Sequence, residues 1–489
     1  MRATAVLVVN LVNLVTLTMA GCSSGGEESN TALTSEMTQS TMTAATAIGM
    51  TGTSGEGTST DGSSTSTGVA PTTGAQGSSS TGGCQLGQLG CGCLPLASCA
   101  DALQCIDDVC ADVASESSST GEDSSTGEDS STGMVMAVCE DGQVTPGELC
   151  YAPAMPLGMG AGPVALALAD LNKDGHLDIV SANNTSNNLT VRTGKGTGLF
   201  NALSAQQGGT GPYAVVTPDI NNDGAPDVVA ANFGSANLSL YQNNGLGMLM
   251  VQPALPAGGQ PRSLAVANAN KDAFDDIFVA NYMTNTVGVY LGDGIGYPEP
   301  TTVAVGAGPT WVAMEDINGD GKLDLTSANY GASTIGVSLG NGLGGFGPQT
   351  ASPVGAQPYA LALLDVSGDD KLDAIVTVPA AGAVYLLQGN GLGGFGGAIP
   401  YPCGADPIGI AVGDLNGDGS KDIVVANRGV NMVSVLQNDG AGGFLAPVSF
   451  MVGLTPYSVA IGDFNEDGVP DLATANNGEP TVSVLNSKP

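Results

Sequence analysis

The sequence has 489 residues, with 46 acidic and 11 basic side chains, a net charge of -35, 74 glycines and only 12% charged residues. Nucleic acid is excluded as a partner, since phosphate backbones are held by clustered Lys and Arg. Few charges and abundant Gly argue for turn-rich β structure over helices, and so large an acidic excess implies disordered acidic segments or bound cations.

Met1-Arg2 opens an apolar run from Ala3 to Ala20 that ends in Met19-Ala20-Gly21-Cys22. Small residues before a cysteine resemble a bacterial lipoprotein signal over 1–21, with Cys22 lipidated as the new N-terminus. A plain secretory signal peptide is the alternative. No other stretch is apolar and long enough to span a bilayer, so the expected membrane contact is the lipid anchor alone. Residues 22–83 are almost wholly Ser, Thr, Gly and acids. They cannot bury enough apolar surface to offset their ordering entropy and read as a flexible tether.

Residues 84–112 hold Cys84, Cys91, Cys93, Cys99, Cys105 and Cys110. Six cysteines in so short a piece read as a knot of three disulfides with fifteen possible connectivities. A zinc site is the competing idea, weakened by the absence of His and by an oxidising compartment. A low-complexity acidic linker follows over 113–138, and Cys139 and Cys150 bracket a further short segment, 139–150. That segment resembles a truncated Cys-rich repeat of myxobacterial surface proteins.

From residue 151 the sequence repeats. DLNKDGHLD at 170–178 recurs as DINNDGAPD at 219–227, NANKDAFDD at 268–276 and DINGDGKLD at 316–324. DVSGDDKLD at 365–373, DLNGDGSKD at 414–422 and DFNEDGVPD at 463–471 complete the series. A proline stands seven residues before each: Pro163, Pro212, Pro261, Pro309, Pro358, Pro407 and Pro456. Two registers in step mean seven copies of one supersecondary unit. Each copy reads as four short strands. An apolar run follows the proline, a second follows the acidic loop (DIVVAN at 422–427), a third follows a short loop (MVSVLQN at 432–438), and a weaker fourth follows a glycine turn. Four-stranded units at this period predict an all-β, seven-bladed propeller over 151–489. The last copy stops at its third strand, TVSVLN (481–486). Residues 151–158 align with a fourth strand and are expected to close the ring, which counts against an open solenoid.

The acidic loops follow D-x-N-x-D-G-x-x-D. Oxygens at positions 1, 3, 5 and 9 and a carbonyl near 7 can wrap one hard cation, while the glycine at 6 permits positive φ. As plain turns these loops would set three carboxylates within nine residues in mutual repulsion. The usual Glu at position 12 of an EF-hand is absent and strands flank the loop, so an EF-hand is excluded.

This pattern resembles the VCBS and FG-GAP repeat family, which includes the calcium-binding propeller of integrin α chains. The resemblance covers 151–489. It implies one Ca²⁺ per blade, in the loop between the first two strands, up to seven in all. The implied ligands are Asp170, Asn172, Asp174 and Asp178 in the first blade; Asp219, Asn221, Asp223 and Asp227 in the second; Asn268, Asn270, Asp272 and Asp276 in the third. They continue with Asp316, Asn318, Asp320 and Asp324; Asp365, Ser367, Asp369 and Asp373; Asp414, Asn416, Asp418 and Asp422; and Asp463, Asn465, Asp467 and Asp471. The site at 268–276 is expected to be weakest or empty, because Asn268 removes a charge and Ala273 replaces the glycine. In the fifth loop Asp370 replaces the glycine but tolerates the left-handed conformation better than Ala.

Strand alternation puts the acidic loops and glycine turns on one face of the ring. The other face carries variable loops with Phe233, Tyr282, Tyr330 and Arg428, where recognition is expected. The single His176 sits in a loop and reads as solvated, and no catalytic triad or phosphate-binding loop can be assembled. Trp311, the sole Trp, reads as core, and Cys403 as a buried free thiol. The sequence therefore predicts no enzyme but a calcium-stabilised adhesion or protein-binding module at the cell envelope or, alternatively, secreted, with an envelope or extracellular protein or a glycan as ligand. A lectin-like propeller is the second reading and a lyase-type enzyme the third.

Overall fold

The computed structural model describes residues 149–298 and 300–488, plus the backbone of a hairpin formed by Leu103–Ile106 and Val109–Asp112. The hairpin belongs to a separate unit, and its register sets Cys105 opposite Cys110. Cys22, the tether, Cys84, Cys91, Cys93, Cys99, the acidic linker and Cys139 lie outside the described residues. Cys150 is disulfide-bonded.

Beyond Tyr151 the chain forms seven antiparallel sheets. The first blade orders Pro163–Ala169, Asp178–Asn183, Asn188–Arg192 and Ser204–Gln207 from inside outward. The first strands of the other blades are Pro212–Val216, Pro261–Ala267, Pro309–Glu315, Leu361–Leu364, Pro407–Gly413 and Pro456–Gly462. Each touches the next around the circle, and the last returns to the first. Proline opens six of these strands, where its missing N–H costs no ladder bond, and the register slips directly after it. In the fifth blade the strand starts only at Leu361, and a short 3₁₀ turn, Pro379–Ala381, replaces the loop that elsewhere follows Ala-Asn.

Burial follows position in the blade. Every second strand is buried along its whole length, whereas fourth strands are mostly exposed. The apolar side chains gather in seven clusters, and each is shared by two neighbouring blades. Blades converge toward the axis and leave little room there, so Ala165, Ala167, Ala169, Ala182 and Ala230 fill one such seam.

The ring closes as the sequence predicts. Met155–Gly158 pairs antiparallel with Thr481–Leu485 and supplies the outer strand of the seventh blade. Tyr151 bridges to Ser487, and its buried ring meets Phe450 edge-on at 5.0 Å between centroids. Truncating such a buried aromatic removes both burial and packing. Tyr151→Ala is expected to cost about 3 kcal/mol in urea unfolding, and an unchanged midpoint would show that the closing segment is not structural.

Candidate functional site

The first acidic loop shows how each loop is built. Asp170 receives the Asp174 N–H on Oδ1 at 3.1 Å and the Gly175 N–H on Oδ2 at 2.8 Å. Asn172 Oδ1 accepts from the Asp174 N–H, and its amide donates to Asp174 Oδ2 at 2.8 Å. Asp174 Oδ1 in turn accepts from the His176 N–H. Two left-handed residues make this winding possible: the position-6 glycine (Gly175, φ 91°) and position 4, here Lys173 (φ 55°). Position 4 is left-handed in all seven loops: Asn222, Lys271, Gly319, Gly368, Gly417 and Glu466 follow Lys173. The nine-residue pattern gave no signal for this, because four of the seven are not glycine.

The ninth-position aspartates stand apart. Asp178 is fully buried and accepts the Leu171 N–H at 3.0 Å on one oxygen and the Gly194 N–H at 2.9 Å on the other. Asp227, Asp276, Asp324, Asp373, Asp422 and Asp471 repeat this double acceptance, always from positions seven before and sixteen after. Each ties the start of its loop to the far end of the third strand. Desolvation raises all seven, with Asp178, Asp227, Asp276 and Asp422 pushed up to about 6 despite the N–H groups that favour the charged form. Four exposed fifth-position groups shift the other way. The Asn221 amide lowers Asp223, and the N–H of Ser420 lowers Asp418. Lys322 and Lys371 lower Asp320 and Asp369, with ion pairs of 3.0 and 2.6 Å.

Six overlapping matches to the FG-GAP-like repeat family model cover 170–230, 219–279, 268–327, 316–376, 365–425 and 414–474. Each starts at the first position of one acidic loop and runs past the next, so six matches use all seven loops. The chain belongs to the FG-GAP-like repeat family. No curated protein sequence matches it. Among solved structures, BBS1N in complex with ARL6DN superposes with a TM-score of 0.52 at 16% identity, over 70% of this chain and 98% of that one. Two more distant likenesses are a virginiamycin B lyase from Staphylococcus aureus (TM-score 0.48, 12% identity, 69% and 99% covered) and an Agrocybe aegerita lectin recognising non-reducing terminal N-acetylglucosamine (0.43, 18%, 67% and 96%). These likenesses bear on fold alone.

In this FG-GAP propeller the donors at positions 1, 3 and 5 are hard oxygens with no nitrogen or sulfur among them, which suits calcium. Among the described residues, no three His, Cys, Asp or Glu side chains already converge on one point; the loops are held by their own N–H groups. The third loop departs most. Asn268 donates to the Asp272 carbonyl where the other loops have an aspartate that accepts, its Oδ1 is buried without a partner, and Ala273 is not left-handed. Asp370 of the fifth loop does take the left-handed conformation, at φ 62°.

Neighbouring loops are coupled. The Gly247 N–H and the Asn243 amide of the second blade donate to the Leu171 carbonyl of the first. Across the closure, His176 Nδ1 meets Glu466, so this histidine is not a merely solvated loop residue but joins the first and seventh loops. The variable loops lie on the opposite side, and in six blades they bond to the residue before the proline, as Asn184 does to Gly162 and Tyr282 to Gln260. Cys403 is buried and free, its thiol pushed up to about 12 by burial.

An aspartate with a folded pKa above its unfolded value binds a proton more readily in the ring than in the open chain. The metal-free propeller should therefore be most stable near pH 4 and lose stability as pH rises toward about 6. The buried shifts outweigh the opposite ones, which fall on exposed, screened groups. Melts of metal-free protein between pH 4 and 7 check this, and rising stability over that range would refute it.

Proposed function

We propose that this FG-GAP propeller is a calcium-stabilised module that is displayed at the cell envelope and binds protein through the face opposite its acidic loops. The observation that carries this reading is the separation of charge between the two faces. The seven quartets gather 20 of the 46 acids on one side of the ring. Among the described residues, the opposite loops hold only Asp406 and Glu479 as acids, and both are engaged internally. Asp406 pairs with Arg428 at 2.7 Å, and Glu479 accepts from the Thr481 hydroxyl and the Leu454 N–H.

One face thus needs cations to relieve repulsion, while the other is nearly neutral, varied between blades and furnished with Phe233, Tyr282 and Tyr330. Aromatic side chains on a rigid frame suit protein recognition. A non-catalytic role agrees with the only His being held in the contact between blades. Lipidation at Cys22, a flexible tether and a disulfide-stapled stalk would present the ring away from the membrane. A cell-surface lipoprotein or, without lipidation, a secreted protein follows from that arrangement.

Calcium at millimolar levels should raise the melting temperature by about 10 °C over chelated protein, from roughly a kcal/mol at each of six sites. Identical melts with chelator and with added calcium would remove the metal from the proposal. Immobilised ring is expected to capture proteins, with loss of capture in the Phe233→Ser, Tyr330→Ser double variant while its far-UV circular dichroism shows the ring still folded. Strong calcium-dependent binding on a glycan array, with capture untouched by that variant, would favour the carbohydrate reading instead.

A further inference from the structure

At the axis, the residues following the prolines converge on a cavity of about 40 Å³ lined by Tyr213, Arg262, Trp311, Tyr359, Ile408 and Tyr457. It opens on the neutral face, where the first strands begin. The hydroxyls of Tyr213, Tyr359 and Tyr457, from three different blades, bond to one another. Burial raises Tyr359 and Tyr457 well above the ordinary phenol range, so both stay neutral donors. Arg262 is stacked 3.9 Å from the ring centre of Tyr282, with Phe233 and Tyr213 at 5.5 and 5.8 Å. Its Nε and the Trp311 Nε1 are buried atoms without a hydrogen-bond partner among the described residues. No ion pair engages its guanidinium there, although acids outnumber bases 46 to 11 in the chain. Arg428, the other base of this face, is neutralised by Asp406.

We propose that this axial pocket is a carboxylate-binding site, in which the Arg262 guanidinium receives an acidic side chain of a protein partner. The lining carries one cation, Arg262, and no acidic side chain, which favours an anion. A cavity of this size holds a few water-sized groups, and a carboxylate head group fits it. The aromatic faces that would stack a sugar, Tyr282, Phe233 and Tyr213, already hold Arg262. A planar guanidinium fixed by three rings meets a carboxylate bidentately with little further ordering.

Trp311 is the only tryptophan, so its fluorescence reports the pocket directly in the full chain. Titration with sodium acetate at constant ionic strength is expected to give a saturable shift. Acetamide, of the same shape without the charge, should give none. Arg262→Met, checked by its melt, should raise the half-saturating acetate concentration at least ten-fold, and Arg262→Lys should fall between. A blocked peptide with a central Glu should bind at least three-fold tighter than acetate and at least ten-fold tighter than its Gln counterpart. An absent acetate shift, or an equal shift with acetamide, overturns the site. The acetamide comparison stands even where a variant fails to fold. Glucuronate binding ten-fold tighter than the Glu peptide would overturn the protein partner in favour of an acidic polysaccharide. The assignment rests on the protein-binding reading, yet the two fail separately: acetate reads the pocket without any partner, and protein captured by a ring that shows no acetate shift would keep that reading while removing the pocket.

Discussion

The buried carboxylate at the base of each acidic loop is the constraint on which the rest of the ring depends. Removing an ionised aspartate from water costs several kcal/mol unless its oxygens find donors. Here two backbone N–H groups meet it, one from the loop's start and one from the end of the third strand. That pair of bonds sets the loop's length and the distance between the first and third strands. It also leaves the desolvation only partly offset, as the upward shift of the group to about 6 shows. A hard cation held by the outer three positions would add the missing positive field. Under the calcium proposal, loop geometry and metal affinity would be one problem, and a loop that has lost its first aspartate, as at Asn268, would lose part of both.

No blade has a core of its own. Each cluster of buried side chains is shared by two blades, so a blade is stable only between neighbours, and the first and last must meet. In an open array the end units would expose an apolar face. The closing strand at Met155–Gly158 solves that with residues from the opposite end of the repeat region, and His176 with Glu466 adds a polar contact across the same seam. The glycine turn of one blade bonds to the acidic loop of the one before, so a change in one loop is felt next door.

Much of this was legible because it repeats. The period, the prolines, the acidic pattern and the shift of one strand across the termini all lie within single copies or between aligned ones, and the family match and the fold agree with them. What could not be read joins residues far apart. Tyr213, Tyr359 and Tyr457 follow prolines in three copies and look like unrelated substitutions until the circle brings their hydroxyls together. Trp311 reads as core from its strand, and its ring does pack on two clusters, yet the residue also lines the axial cavity. Arg262 gave no signal at all, since a lone base in an acidic sequence says nothing of the rings around it. The second backbone partner of the ninth aspartate lies sixteen residues on, outside the motif, and could not be read from it.

A protein with a net charge of -35 is an unexpected place for a carboxylate receptor, and distance resolves this. The acidic loops and the axial pocket sit at opposite ends of the first strands, which are up to seven residues long. At ~3.3 Å per residue that is roughly 20 Å, more than two Debye lengths at physiological ionic strength. Repulsion from the loops is then largely screened before it reaches the pocket, and bound calcium would reduce it further. Arg262 acts at contact distance, where screening is weak and three aromatic rings exclude water. Placing nearly all of the ring's acids on one face would therefore do two things. It would concentrate the charge that the proposed cations neutralise, and it would leave the other face free to recognise a partner by a single well-placed positive group.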